Sequence, residues 1–76
     1  MNKSDFLVEL EDILQREAPC KENDNLEEYE EWDSLSKMAM MAYFDKNFGI
    51  KLALSDFKGI NTVSDLINLA GDKIIG

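Results

Sequence analysis

The chain of 76 residues carries 8 Lys and Arg against 16 Asp and Glu, a net charge of −8, with no His and one Cys. That length predicts one small domain over residues 1–76 with a modest core, and the lack of His beside a lone Cys20 excludes a Cys/His zinc cluster, a Ser-His-Asp triad and an internal disulfide. The acidity argues against nucleic acid as a partner, no apolar run approaches the roughly 18 residues that span a bilayer, and residues 1–10 lack the layout of a signal peptide, so the expectation is a cytoplasmic monomer without membrane insertion.

Between residues 3 and 17, Phe6, Leu7, Leu10, Ile13 and Leu14 recur at the three-to-four spacing of one helical face and predict a first helix. Asn2 or Ser4 is its candidate N-cap, and Pro19 marks its end, because proline disfavours helical geometry in the residue before it. Residues 18–33 hold only Leu26, Tyr29 and Trp32 as apolar anchors and predict a long crossing loop with at most a helical turn. Seven of the 16 acids lie in residues 22–33 without a Lys or Arg, which leaves 9 acids against 8 bases elsewhere. Such a concentration predicts salt-sensitive encounters with basic protein surfaces; the plainer alternative is a solvated acidic loop. Trp32 reads as a staple between loop and core, and Cys20, with Lys21 the only adjacent cation, as a bystander thiol.

A second helix is predicted from residue 34 to residue 47 or 48. Leu35, Met38, Met41, Ala42 and Phe48, with Met40 and Phe44 offset from them, make it apolar on more than one side. One side serves the core and the other is a candidate contact surface. Gly49 closes this helix in the left-handed conformation, Ile50, Leu52 and Leu54 alternate along an extended connector, and Ser55 is expected to cap a brief turn through Lys58 that Gly59 breaks. Asn61 or Thr62 then caps a last helix carrying Val63, Leu66, Ile67, Leu69 and Ala70. The expected fold is all-α: a four-helix bundle of three main helices and a short third one, with a long loop between the first two.

Asp33-Ser34-Leu35 at the start of the second helix, Phe48-Gly49-Ile50 at its end, and Ile60-Asn61-Thr62-Val63-Ser64-Asp65-Leu66 leading into the last helix resemble the acyl carrier protein family, and the similarity covers essentially the whole chain. The resemblance implies a non-catalytic carrier in which Ser34 bears 4′-phosphopantetheine, a flexible arm whose thiol holds an acyl or related group as a thioester. It implies that Asp33 helps a phosphopantetheinyl transferase recognise the serine and hold its magnesium-bound substrate, and that Leu35 helps present the serine to partners. Met40, Phe44, Leu52 and Ile60 align with positions that line the family's acyl cleft between the second and third helices. For the isolated pair, the simpler reading is that Ser34 caps its helix and Asp33 decorates the N-terminus.

Two departures from the family pattern bear on the pathway. Fatty-acid carriers usually have Gly two residues before the Asp-Ser-Leu and several acids along the second helix; here Glu31-Trp32 precedes the motif, and the helix has only Asp45, opposed by Lys37 and Lys46. Acidic recognition would then fall to Glu27, Glu28, Glu30 and Glu31, with Ala39, Met41 and Ala42 adding apolar contact. The Trp-Asp-Ser-Leu form resembles stand-alone carriers of specialised biosynthesis, such as that of surface glycans or secondary metabolites, and implies acyl- or aminoacyl-loading and acyl-transfer enzymes with basic docking patches as partners. The alternatives are a housekeeping fatty-acid carrier and an acidic interaction or inhibitor module without a prosthetic group. A calcium-binding helix-loop-helix is disfavoured, because residues 22–33 lack that motif's alternating Asp/Asn ligands and central glycine.

Overall fold

Three α-helices form where the sequence supplies both a cap and an apolar period: α1 (Lys3–Leu14), α2 (Ser34–Phe48) and α3 (Val63–Leu69). The computed structural model describes residues 1–75. Each helix start is satisfied in the same way, by a side-chain oxygen that accepts from the backbone N–H three residues on. Asn2 Oδ1 takes the Asp5 N–H at 2.8 Å, Asp33 Oδ1 the Ser36 N–H at 2.9 Å and Thr62 Oγ1 the Asp65 N–H at 3.1 Å. At α3 the Asp65 carboxylate also accepts from the Thr62 N–H at 3.1 Å, closing a capping box.

The helix ends are less uniform. Gly49 closes α2 in the left-handed region with φ 68°, as glycine at that position does. The first helix ends at Leu14, three residues earlier than the predicted boundary of 17, because Gln15 enters the left-handed region at φ 54°. Its N–H still reaches the Asp12 carbonyl at 3.1 Å, and the Arg16 N–H reaches that of Glu11 at 2.9 Å, so the last turn is sealed well before Pro19.

The core collects one stripe from each helix: Phe6, Leu10 and Leu14 from α1, Met40, Tyr43 and Phe44 from α2, and Val63, Leu66 and Ile67 from α3. Phe6 stands edge-on to Tyr43 and Phe44 with ring centroids 6.2 and 6.3 Å away, and Phe44 meets Phe48 edge-on at 5.1 Å, arrangements that the ring quadrupoles favour. The rest of the core comes from the connections. Leu26, Tyr29 and Trp32 are all buried, as expected of the loop's three anchors, and Cys20 joins them. Leu26 lies in a 3₁₀ turn, Leu26–Glu28, whose backbone pairs with the start of α3: the Leu26 N–H donates to the Asn61 carbonyl at 2.8 Å, and Val63 and Ser64 donate back to Asp24 and Glu22 at 3.0 and 2.9 Å.

The short third element is a single 3₁₀ turn, Leu54–Phe57. Ser55 lies inside this turn and does not cap it. The cap runs backwards instead, with the Asp56 carboxylate accepting from the Ala53 N–H at 2.7 Å, because a carboxylate one residue later reaches the free donor ahead of the turn. Phe57 and Ile60 are buried on either side of Gly59, and Phe57 packs edge-on against Trp32 at 5.7 Å. The all-α fold thus holds, with no strand among the described residues and two isolated bridges, Asn2 to Ile75 and Asn25 to Thr62. No helix among the described residues is long and apolar enough to cross a membrane.

Candidate functional site

The exposed end of α2 stands out because the helix has no buried residue before Met40. Its first turns carry Ser34, Leu35, Met38 and Ala39 in solvent, with Leu35 77% and Met38 57% exposed, on a helix whose second half lies in the core. What holds this overhang is the loop before it. Trp32 is buried against Phe57, the Lys37 ammonium lies over the Trp32 ring at 5.8 Å, and the Ser36 hydroxyl donates to the Glu31 carbonyl. Further back, the Arg16 guanidinium stacks on the Tyr29 ring at 3.8 Å and pairs with Glu31 at 3.1 Å, and Tyr29 donates its hydroxyl to Asp24 at 2.6 Å.

Ser34 is the first residue of α2, exposed, and its hydroxyl has no hydrogen-bond partner among the described residues. The backbone N–H groups of a helix start lack intrahelical acceptors, and the helix dipole places positive charge there, so a phosphate ester at this serine meets a favourable field. Asp33, also exposed, uses only Oδ1 for the cap and for the Ser36 hydroxyl at 3.1 Å, and its Oδ2 makes no hydrogen bond among the described residues. The bond from the Ser36 N–H, helped by the Ser36 hydroxyl, holds the Asp33 carboxyl below the usual range, so it is ionised at neutral pH.

Two shallow grooves flank α2. The first, about 470 Å³, lies between the end of α1 and the start of α2, where Ile13, Leu14 and Gln15 face Leu35, Ser36 and Ala39, with Glu31 and Asp33 at one end. The second, about 400 Å³, lies between α2 and the connection after it and is lined by Met38, Met41, Ala42 and Leu52 together with the charged Asp45 and Lys51. Of the residues aligned with an acyl cleft, only Leu52 lines a groove. Met40 and Phe44 are fully buried core side chains, and Ile60 is buried beside Gly59. Met41 and Ala42, read from sequence as contact residues, share the second groove with Leu52, while Leu35 and Ala39 open onto the first.

The loop acids are also divided. Glu27, Glu28 and Glu30 are exposed, whereas Glu31 is half-buried and tied to Arg16. Cys20 is buried, its N–H donating to Glu11 at 3.0 Å, and burial pushes its thiol above the ordinary value, which keeps it protonated and unreactive. Among the described residues, no group of three or more Asp, Glu or Cys is placed to hold a metal ion. Ile13, Gln15 and Ser36 carried no sequence signal for a groove, since it exists only where two helix ends meet.

No curated protein and no solved structure matches the chain. A family model, described as the phosphopantetheine attachment site, matches residues 5–70, most of the sequence, with α2, α3 and all but the first two residues of α1. Members of this family are non-catalytic carriers that hold 4′-phosphopantetheine covalently on a serine and meet a phosphopantetheinyl transferase and acyl-handling enzymes. The chain belongs to the phosphopantetheine attachment site family.

Proposed function

We propose that Ser34 is the attachment residue and that the chain is an acyl carrier serving a specialised biosynthetic pathway. Five serines are present. Ser4 lies outside the matched residues 5–70, Ser36 is engaged with Glu31 and Asp33, and Ser64 is partly buried in α3. Ser34 and Ser55 remain exposed within the match, and the observation that carries the choice is the environment of Ser34. It combines a free hydroxyl, a helix start and an ionised neighbour in Asp33, on an overhang that a transferase can enclose. Ser55 sits in a 3₁₀ turn between Leu54 and Asp56 with no such arrangement.

In this reading Asp33 keeps its cap through Oδ1 and offers Oδ2 to the magnesium-bound donor of the transferase. Leu35 supplies an apolar foothold beside the serine for visiting enzymes. The bound group supplies a thiol that holds the acyl cargo as a thioester; the protein supplies the attachment point, the recognition surface and no acid or base. The pathway assignment rests on where charge is placed. The second helix has one acid, Asp45, against Lys37 and Lys46, while Glu27, Glu28 and Glu30 project from the loop ahead of it. A partner must therefore match an acidic strap and an apolar helix start, with Met38, Met41 and Ala42 adding apolar contact, and so a dedicated loading enzyme with a basic patch is favoured.

The test is intact mass before and after incubation with coenzyme A, magnesium and a broad-specificity phosphopantetheinyl transferase. One arm-sized increment is expected, lost in Ser34→Ala and kept in Ser55→Ala. An increment that survives Ser34→Ala overturns the assignment, and none at all from the folded chain, beside an active control carrier, favours an acidic interaction module. Equal loading by fatty-acid enzymes and by a specialised pathway's loading enzyme would defeat the pathway reading alone.

A further inference from the structure

Two grooves flank the same exposed helix, and they differ in chemistry. The one against the connection after α2 is lined mostly by methionine, alanine and leucine side chains, with Asp45 and Lys51. The one against the end of α1 mixes hydrocarbon from Ile13, Leu14 and Ala39 with the Gln15 amide, which has no hydrogen-bond partner among the described residues and offers both a donor and an acceptor.

We propose that the groove between the end of α1 and the start of α2 is the resting seat of the 4′-phosphopantetheine arm, with Gln15 as its polar contact and Ile13 and Ala39 as its apolar walls. The inference rests on Ser34 as the attachment residue. Position supports it, because Asp33 and Leu35, the residues on either side of Ser34, both line this groove, so the tether starts at its rim. Chemistry supports it too: the arm carries amides and a hydroxyl between its phosphate and its thiol, and a half-polar groove suits such a chain better than a mostly apolar one. The groove is shallow, so the seat is open to solvent. An open groove holds a free ligand poorly, but tethering raises the local concentration to the order of millimolar, so weak contacts suffice and release to a partner stays easy.

The test compares amide spectra of the 15N-labelled chain before and after modification, with the mass increment at Ser34 verified first. Ile13, Gln15 and Ala39 are expected to shift, with Met41, Lys51 and Leu52 unmoved. In parallel, the arm's thiol is captured with a maleimide, the unmodified chain with its buried Cys20 giving the background. Capture is expected to be several-fold faster in Ala39→Phe, which fills the groove, and in Gln15→Gly, which removes the amide where the left-handed backbone welcomes glycine. The second variant leaves every core side chain in place. Shifts at Met41, Lys51 and Leu52 instead, or shifts confined to residues 33–35 with equal capture rates, overturn the seat while leaving Ser34 as the attachment residue. A missing mass increment removes both and is seen before any spectrum is recorded.

Discussion

The connection before α2 is long and acidic, and the one after it, residues 49–62, is shorter and has one acid, Asp56, against Lys51 and Lys58. Charge alone would make the first the looser of the two, yet it is the more firmly tied. Leu26, Tyr29 and Trp32 are buried at a spacing of three, so Glu27, Glu28 and Glu30 are turned outwards between them, and Arg16, Asp24 and the start of α3 fasten the strap at further points. The second connection rests on Phe57 and Ile60, while Leu54 is 52% exposed. Burial of anchors rather than polarity decides where a segment is held, and here it places an oriented acidic surface directly ahead of Ser34.

The sharpest way to break this contrast is to truncate one leucine in each connection. Leu26→Ala removes a fully buried side chain and should cost about 2–5 kcal/mol, a large share of what so small a chain possesses. Leu54→Ala at its exposed site should stay within about 0.5 kcal/mol. Urea unfolding followed by far-UV circular dichroism gives both numbers, and equal effects would mean that the strap is not anchored as described.

Much of this was legible in the residues, and the parts that were not share a cause. Asn2 and Thr62 are visible among the candidate caps because capping is a local chemistry of one side chain and one N–H, whereas at α2 the cap is Asp33, one residue ahead of the Ser34 that the sequence suggested, because the helix already begins at Ser34. The strap's anchors were visible as the only apolar residues among acids. The end of α1 was misplaced because a non-glycine residue took the left-handed position, which no local rule favours. The Leu54–Phe57 turn is capped from Asp56 rather than Ser55, a choice between two competent neighbours that only the fold settles. At the candidate site, the Asp33-Ser34-Leu35 tripeptide was readable, but the grooves were not: Met40 and Phe44 turn inward while Met41 and Leu52 face the second groove, because the roll of α2 against α1 decides which offset apolar residues are covered.

A medium effect is expected from Tyr29→Phe, which removes the 2.6 Å hydrogen bond to Asp24 and leaves the ring in place. A hydrogen bond to a charged group is worth about 1.5–3 kcal/mol, so the loss should fall at or below that range, since Asp24 is partly exposed and recovers water. The pH dependence supplies a second reading. Burial first, and then the bond to Asp24, hold the Tyr29 phenol well above its ordinary value. A raised folded pKa means that its contribution is fully present below about pH 10, the unfolded value, and fades as pH climbs towards the folded one. The wild-type chain should therefore lose stability above about pH 10, and Tyr29→Phe should flatten that limb. The acid limb runs the other way. Backbone N–H donors hold the Asp33 and Asp65 carboxyls low, so their contribution is present above about pH 4 and fades as pH falls through the folded values. Asp65→Asn should flatten this limb without touching the alkaline one.

The smallest effects expected are at the two points where the connections leave their helices, and they have opposite signs. Gln15 and Gly49 both take left-handed backbone, at φ 54° and 68°. An L side chain pays about 1–2 kcal/mol for that region, while the greater freedom of glycine in the unfolded chain offsets about 0.4–1 kcal/mol. Gly49→Ala should therefore destabilise by about 1 kcal/mol, and the cost is purely conformational, because a Cβ at residue 49 would meet nothing within 4 Å. Gln15→Gly should stabilise the unmodified chain by roughly 0.5–1 kcal/mol, since the Gln15 side chain is exposed and makes no hydrogen bond among the described residues. Thermal unfolding of the two variants beside wild type resolves the signs. A Gln15→Gly chain that melted lower would show that the Gln15 side chain already holds the α1 end or the strap in the unmodified protein, and the strap's firmness would then owe something to its first residue as well as to its three anchors.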